Sequence, residues 1–455
     1  MIRFKNNLLL IGITVTMVLY CFWLVVASGG IAGVDSSIDK FRESTKYEQR
    51  RKSVREGAII DRHGDIILET TIETSSDEDV ECFRTNYFYD EPYSQLVGYN
   101  NSLYGASNIR KKFENYLYYD NDKDGIGATL KLTTDNKLQE YCYNLIGDNE
   151  GGVVIIDNDT GEIRALASRS EKDFSLAQLD AKEVALSDYF EYDGFFLNTS
   201  TQKKAPPAST FKILTSIAAL EEDLDKIKYE DTGYFQTVTG AKIFNHNGQI
   251  YGEIGLKEAI GVSSNAYFSN LGVLLGKDKL SEIAARFLIG SEIELDFTTL
   301  HSNFELKTAD EFEIASTSIG QGKTELSALQ LCMVMQSICN EGTMLRPYIV
   351  DEVFQGDKVL HECEVDKLTK TVSRKVSKEV LELMQSNAEN YFDVSESEYG
   401  VAGLKTGTAE LHNGLYQSCI MGFSEECSIV IFQRNTYNTG ASLLPQFKNI
   451  LKYIN

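Results

Sequence analysis

The chain has 455 residues, 42% of them apolar, with 67 acidic against 44 basic side chains and a formal net charge of −23. That length accommodates two domains and a sizeable core. The acidity excludes a protein built to grip nucleic acid, because phosphates demand a basic face.

Residues 1–7 are a short leader carrying Arg3 and Lys5. No charged residue lies between Lys5 and Asp35, and Leu8 to Ala27 is almost wholly apolar. About 20 such residues cross a bilayer as a helix, and signal-peptide cores are shorter, ~7–15 residues. A single-pass anchor is therefore expected over residues 8–30. The basic leader places its N-terminus in the cytoplasm and the remainder outside the cell membrane.

Ser36–Arg55 reads as a charged stalk. Gly57–Leu68 reads as a strand, a turn at Gly64 and a second strand. Glu69–Glu81, acidic and rich in Ser and Thr, reads as a solvated loop. Asp120–Gly125 opens like a calcium-binding loop, but Lys131 stands where the bidentate glutamate belongs. A solvated turn is expected there, and no metal or other cofactor is expected anywhere in the chain. The stretch as far as Gly151, about 100 residues, is enough for a small domain but short for an enzyme.

Gly152–Ser168 has the pattern of a hairpin turning at Asp157–Gly161. Val401–Leu411, Tyr416–Phe423 and Ser428–Gln433 read as three successive strands, the last two joined at Ser424–Glu426. Between these groups, residues 209–390 are mainly helical in pattern, as over Leu256–Leu275 and Glu325–Cys339, and Leu443–Ile454 reads as a closing amphipathic helix. The fold class expected is α+β, one antiparallel sheet of about five strands covered by helices. The eight cysteines include no C-x-x-C and no disulfide framework, so buried free thiols are expected.

Three strings carry the chemistry. Ser209-Thr-Phe-Lys212 follows Pro206-Pro207 and opens an apolar run. Ser209 thus sits near a helix N-terminus, where backbone N–H groups favour developing negative charge, with Lys212 one turn along the same face. A serine hydroxyl needs a neighbouring base to become a nucleophile, and a neutral lysine serves if burial and a second cation lower its pKa. The plainer reading is an N-cap serine and a surface lysine. Ser263-Ser264-Asn265 interrupts a helical pattern and equally suits an N-cap. Lys405-Thr-Gly-Thr408 lies on a strand, where Gly407 admits close backbone approach and the lysine and hydroxyls suit a carboxylate. It equally reads as an ordinary glycine in an edge strand.

Taken in order, the three strings match a signature shared by class A β-lactamases and penicillin-binding proteins. The chain resembles the class B penicillin-binding proteins, monofunctional peptidoglycan D,D-transpeptidases. Further similarity lies in Gly57–Gly64, Tyr99, Tyr104-Gly105, Leu132–Asp135, Leu138-Gln139, Gly151–Asp157, Thr160–Glu162 and Ser318–Gly322. Glu56, Thr199 and Ala208 depart from the family pattern, which often has glycine before the nucleophile.

The resemblance implies that residues 31–150 include a pedestal or dimerisation-like domain and that 151–455 form the transpeptidase domain. It implies that Ser209 attacks the D-alanyl carbonyl of a stem peptide, Lys212 takes its proton and Ser263 relays a proton to the leaving amine. Asn265, Lys405, Thr406, Gly407 and Thr408 would bind substrate, with the backbone N–H groups of Ser209 and Thr408 as oxyanion hole. β-Lactams would acylate the same serine, and a membrane-embedded SEDS-family glycosyltransferase would be the partner. Two other functions compete: a β-lactamase or β-lactam sensor on the same fold, and a non-catalytic scaffold that activates the glycosyltransferase.

Overall fold

In the computed structural model, residues 53–74, 81–101, 105–120, 125–172, 174–180, 185, 197–411 and 414–454 are described. The expected anchor over 8–30, and most of the calcium-like loop, lie outside them. Among the described residues no helix is long and apolar enough to cross a membrane.

A five-stranded antiparallel sheet runs in the order Gly403–Glu410, Tyr416–Phe423, Cys427–Thr436, Glu150–Asp157, Ile163–Arg169. Its register sets Ile429 opposite Ile155 and Lys405 opposite Met421. All eight residues of Glu150–Asp157 are buried, as befits an inner strand covered on both faces. Val153, Ile155, Ile429 and Ile431 point into a core closed by helices Asn136–Ile146 and Leu444–Ile454 through Leu138, Ile146, Phe447 and Ile450. Alternate residues point the other way, toward helix Ala328–Cys339, whose Cys332 thiol contacts the Val154 and Ser428 carbonyls. Every residue from Ala328 to Ile338 is buried. The expected α+β architecture and the strand positions are found.

Helix starts follow local capping chemistry. Asp135, Ser264, Asp310, Ser327 and Ser373 each accept a hydrogen bond from a backbone N–H of the first turn, satisfying a group the helix cannot pair itself.

Three expectations change. The acidic segment after Leu68 is not all loop, since Ile66–Thr74 pairs with Glu81–Tyr87 as far as Thr74 opposite Glu81. Across that hairpin Thr70 meets Thr85, Asn86 donates to Thr71, and Arg84 pairs with Glu73 on the exposed surface. The region from 209 to 390 is less helical than its pattern: it contains small two-stranded pairings among Tyr229–Asp231, Tyr234–Gln236, Lys242–Phe244 and Gly252–Ile254. It also lends the strands Val350–Gln355 and Lys358–Glu362 to a second, six-stranded sheet with Thr129–Leu132, Ile59–Ile60, Ile66–Thr74 and Glu81–Tyr87. Six cysteines are free, but Cys339 and Cys363 are partly exposed, while Cys142, Cys332, Cys419 and Cys427 are buried.

By packing, the described residues within 57–117 and 128–454 form one unit, and those within 53–56 and 118–127 another. Within the second, Arg55 and Ile126 form a parallel bridge.

Candidate active site

Ala208–Phe211 forms a single 3₁₀ turn, and Lys212 opens the α-helix that runs to Glu221. Eight of that helix's ten residues are buried, so Lys212 cannot be a surface lysine. Ala208 has a left-handed φ of 50°, a conformation that costs a non-glycine residue about 1–3 kcal/mol. Its N–H donates to the Gly320 carbonyl at 2.9 Å. Gly320 itself has φ 75°, and a Cβ there would lie 2.0 Å from the Ala208 carbonyl oxygen. The Ser318–Gly322 string thus packs directly behind the nucleophile turn.

The second string divides its labour. Ser264 is the N-cap of helix Asn265–Arg286, so the capping reading holds for that residue. Its neighbours face Lys212. The Lys212 Nζ donates to the Ser263 carbonyl at 2.7 Å and to Asn265 Oδ1 at 2.8 Å, and lies 3.3 Å from the Ser263 hydroxyl. None of these contacts is to Ser209. The Phe268 ring lies 5.6 Å from the amine. Ser263 is left-handed, φ 55°, which turns both its carbonyl and its hydroxyl toward the lysine.

Lys405 reaches the same hydroxyl from the outer strand Gly403–Glu410, donating to Ser263 Oγ at 2.9 Å and to the Thr406 carbonyl at 3.0 Å. The Gly440 N–H donates to Thr408 Oγ1 at 2.8 Å, leaving the Thr408 hydroxyl proton free for an incoming acceptor. A Cβ at Gly407 would sit 2.8 Å from the Pro207 carbonyl oxygen. Only glycine lets this strand lie against the nucleophile turn. Gly407→Ala is therefore expected to push the two apart and slow acylation by β-lactam at least ~10-fold, with about 1–3 kcal/mol of overpacking. Stopped-flow acylation and a thermal melt measure the two effects.

Lys212 and Lys405 are both fully buried, with 0% and 1% exposure. Burial, and then the charge of Lys405, push the Lys212 ammonium well below the usual lysine range, against a smaller opposing pull from Asp231. Burial alone lowers Lys405 to about 7. Two ammonium groups on one buried hydroxyl repel each other strongly, so the neutral form is favoured at Lys212. A neutral amine has two N–H donors and one lone pair. The Ser263 and Asn265 carbonyl oxygens take the two donors, and the lone pair remains for a proton. The Ser263 hydroxyl, bridging both amines, can accept a proton from one side and pass one on at the other.

All the side chains expected at the site lie on three neighbouring segments, and direct contacts join Lys212, Ser263, Asn265 and Lys405. Asp231, Asn245, Gly320 and Gly440 support them, and the sequence assigns none of the four a role. Gly320 falls in a string whose resemblance was noted without a role. The other three had no signal beyond residue type.

The model of the penicillin binding protein transpeptidase domain matches residues 151–452. The chain belongs to the penicillin-binding protein transpeptidase family. Among curated relatives, this transpeptidase-family chain is 27% identical over 311 residues to peptidoglycan D,D-transpeptidase PbpA of Mycolicibacterium smegmatis, covering 63% of this chain and 62% of the relative. It is 28% identical over 311 residues to stage V sporulation protein D of Bacillus subtilis, covering 64% of this chain and 45% of that one. The matched region spans about three-fifths or less of these relatives' length. The fold is also that of PBPA from Mycobacterium tuberculosis, with TM-score 0.79, 20% identity and coverage of 88% of this chain and 100% of that one. The D,D-transpeptidase domain of a peptidoglycan glycosyltransferase from Eggerthella lenta gives TM-score 0.77 at 24% identity, covering 88% and 98%.

Proposed function

We propose that the protein is a serine D,D-transpeptidase that crosslinks peptidoglycan stem peptides through an acyl-enzyme on Ser209 and is acylated there by β-lactams. The observation that carries this reading is the placement of two buried lysine amines on one serine hydroxyl, one of the lysines opening the helix that follows the Ser209 turn.

In this reading Ser209 Oγ attacks the carbonyl of the penultimate D-alanine and its proton goes to neutral Lys212. The backbone N–H groups of Ser209 and Thr408 hold the oxyanion, each such donor contributing about 2.7–4 kcal/mol in comparable sites. The C–N bond breaks as a proton passes through Ser263 to the departing D-alanine amine. Asn265 holds the donor peptide, while Lys405, Thr406 and Thr408 hold its terminal carboxylate at the gap that Gly407 leaves. An amine from a second stem peptide then attacks the ester, forms the crosslink and frees Ser209. A β-lactam keeps its leaving amine tethered, so its ester persists. Relatives support the reading: proteins named peptidoglycan D,D-transpeptidase match about three-fifths of this chain, and a penicillin G acyl-enzyme complex is known for penicillin-binding protein A of M. tuberculosis.

The finer reading rests on sequence. Leu8–Ala27 supports a single-pass anchor with the transpeptidase domain, 151–455, on the outer face of the cell membrane. Residues 31–150 would be stalk and pedestal, and a SEDS-family glycosyltransferase the partner, in cell division or cell shape.

Intact mass spectrometry of the full-length protein with benzylpenicillin tests the central claim. The expected result is a long-lived adduct that is absent from Ser209→Ala. Loss of drug without an adduct would instead mark a β-lactamase, and no reaction at all a non-catalytic scaffold.

A further inference from the structure

Behind the Ser263–Asn265 loop lies a carboxylate that the reaction as written does not use. Asp231 ends the short strand Tyr229–Asp231 and is fully buried. Asn245 Nδ2 donates to both its oxygens, at 2.8 and 2.9 Å, the Gly233 N–H donates at 2.8 Å, and the Ser264 hydroxyl donates to Oδ2. Asn245 is as deeply placed, at 3% exposure. Its Nδ2 also donates to the Gln249 carbonyl, and its Oδ1 accepts from the Ala266 N–H at 2.9 Å.

These bonds fall on either side of the reacting loop. Ser264 is gripped by Asp231, Ala266 by Asn245, and Asn265 Nδ2 between them donates to the carbonyl of Phe244, next to Asn245. Ser263 comes just before this clamp and holds a left-handed backbone that an L-residue keeps only when its surroundings over-determine it. Helix capping explains Ser264 alone: the Tyr267 N–H already satisfies that role through Ser264 Oγ. It does not require a fully buried carboxylate with three donor groups upon it, because a lone buried charge is costly to desolvate.

We propose that Asp231, with Asn245, is a positioning residue of the transpeptidase site: it clamps the Ser263–Asn265 loop so that the Ser263 hydroxyl stays between the two lysine amines, and from behind that loop it supplies a negative charge that acts on Lys212. The inference rests on the transpeptidase reading given above. The groups facing Lys212 are Lys405 from the outer strand, Ser263 and Asn265 from the loop, the Phe268 ring from the helix, and Asp231. Asp231 is the only carboxylate among these groups, and its charge favours the protonated form of Lys212. Without that charge Lys212 loses its proton at lower pH.

The test is the rate of acylation of the full-length chain by a fluorescent penicillin between pH 5 and 10, with a melt to show that each variant is folded. Ser264→Ala cuts one arm of the clamp and keeps the charge. It is expected to acylate roughly 10-fold or more slowly, as small misplacements do, with the acid limb of the profile unmoved. Asp231→Asn is expected to be slowed as well, and its acid limb to move to lower pH. A slowed Asp231→Asn with an unmoved limb would make the carboxylate a fold-supporting group only and overturn its electrostatic part. Unaltered rates in Ser264→Ala would overturn the clamp, even were Asp231→Asn too unstable to assay. Failure of the unsubstituted chain to acylate at any pH is a separate result: it removes the transpeptidase reading, and the inference with it.

Discussion

Lys212→Met is expected to lower the rate of Ser209 acylation by roughly 10²–10⁴-fold, the usual contribution of a general base, while the chain stays folded. The amine sits in a helix whose other side chains are mostly apolar, and methionine fills nearly the same volume. What is lost is the amine lone pair and two donors to the Ser263–Asn265 loop. The same argument fixes the pH profile of the unsubstituted protein. A base works only when unprotonated, so the rate must rise with pH through the point where Lys212 loses its proton. Burial and Lys405 place that point well below the usual 10.5, so the acid limb should be complete before pH 10. A rate still climbing steeply at that pH would mean that Lys212 is charged in the resting site and that some other group takes the Ser209 proton.

Much of this arrangement was legible in the chain because its signals are local. Glu150–Arg169 and Gly403–Thr436 alternate or run apolar between turn residues, so strands could be placed and an antiparallel sheet inferred from hairpins alone. Pro206-Pro207 before an apolar run marks a helix start whatever the fold. The break at Val262–Ser264 between two helices was legible for the same reason. What could not be read is long-range. Val350–Gln355 joins Thr129–Leu132, some 220 residues earlier by its Lys131–Asp351 ion pair, and nothing in either segment names the other. Asp231 and Asn245 look like turn residues, which they also are. Their burial beneath the loop arises only when the short strands between them fold back onto helix Asn265–Arg286. The Ser263–Asn265 string was open between cap and site because it is both, one residue apart.

Lys405→Met should separate the demands of function from those of stability. In the folded chain Lys405 loses its proton near pH 7, whereas in the unfolded chain it does so at its ordinary 10.5. Between those values the unfolded state binds more protons, so this group makes the protein more stable as pH rises. Its destabilising effect is complete below about 7 and absent above 10.5. Methionine removes the titration and keeps the apolar stem, at the loss of hydrogen bonds to the Ser263 hydroxyl and the Thr406 carbonyl. The melting temperature at pH 7 is expected to rise by about 5 °C, taking ~2–4 °C per kcal/mol for a domain of this order. The gain should shrink toward zero as the pH approaches 10.5. Acylation should fall about 10²–10³-fold, the scale of losing one electrostatic contact to the transition state. Calorimetric scans at pH 7 and 10 with acylation assays on the same samples decide the matter. A variant less stable at both pH values would show that the Lys405 hydrogen bonds outweigh its burial, and that the amine stabilises the fold instead of straining it for catalysis.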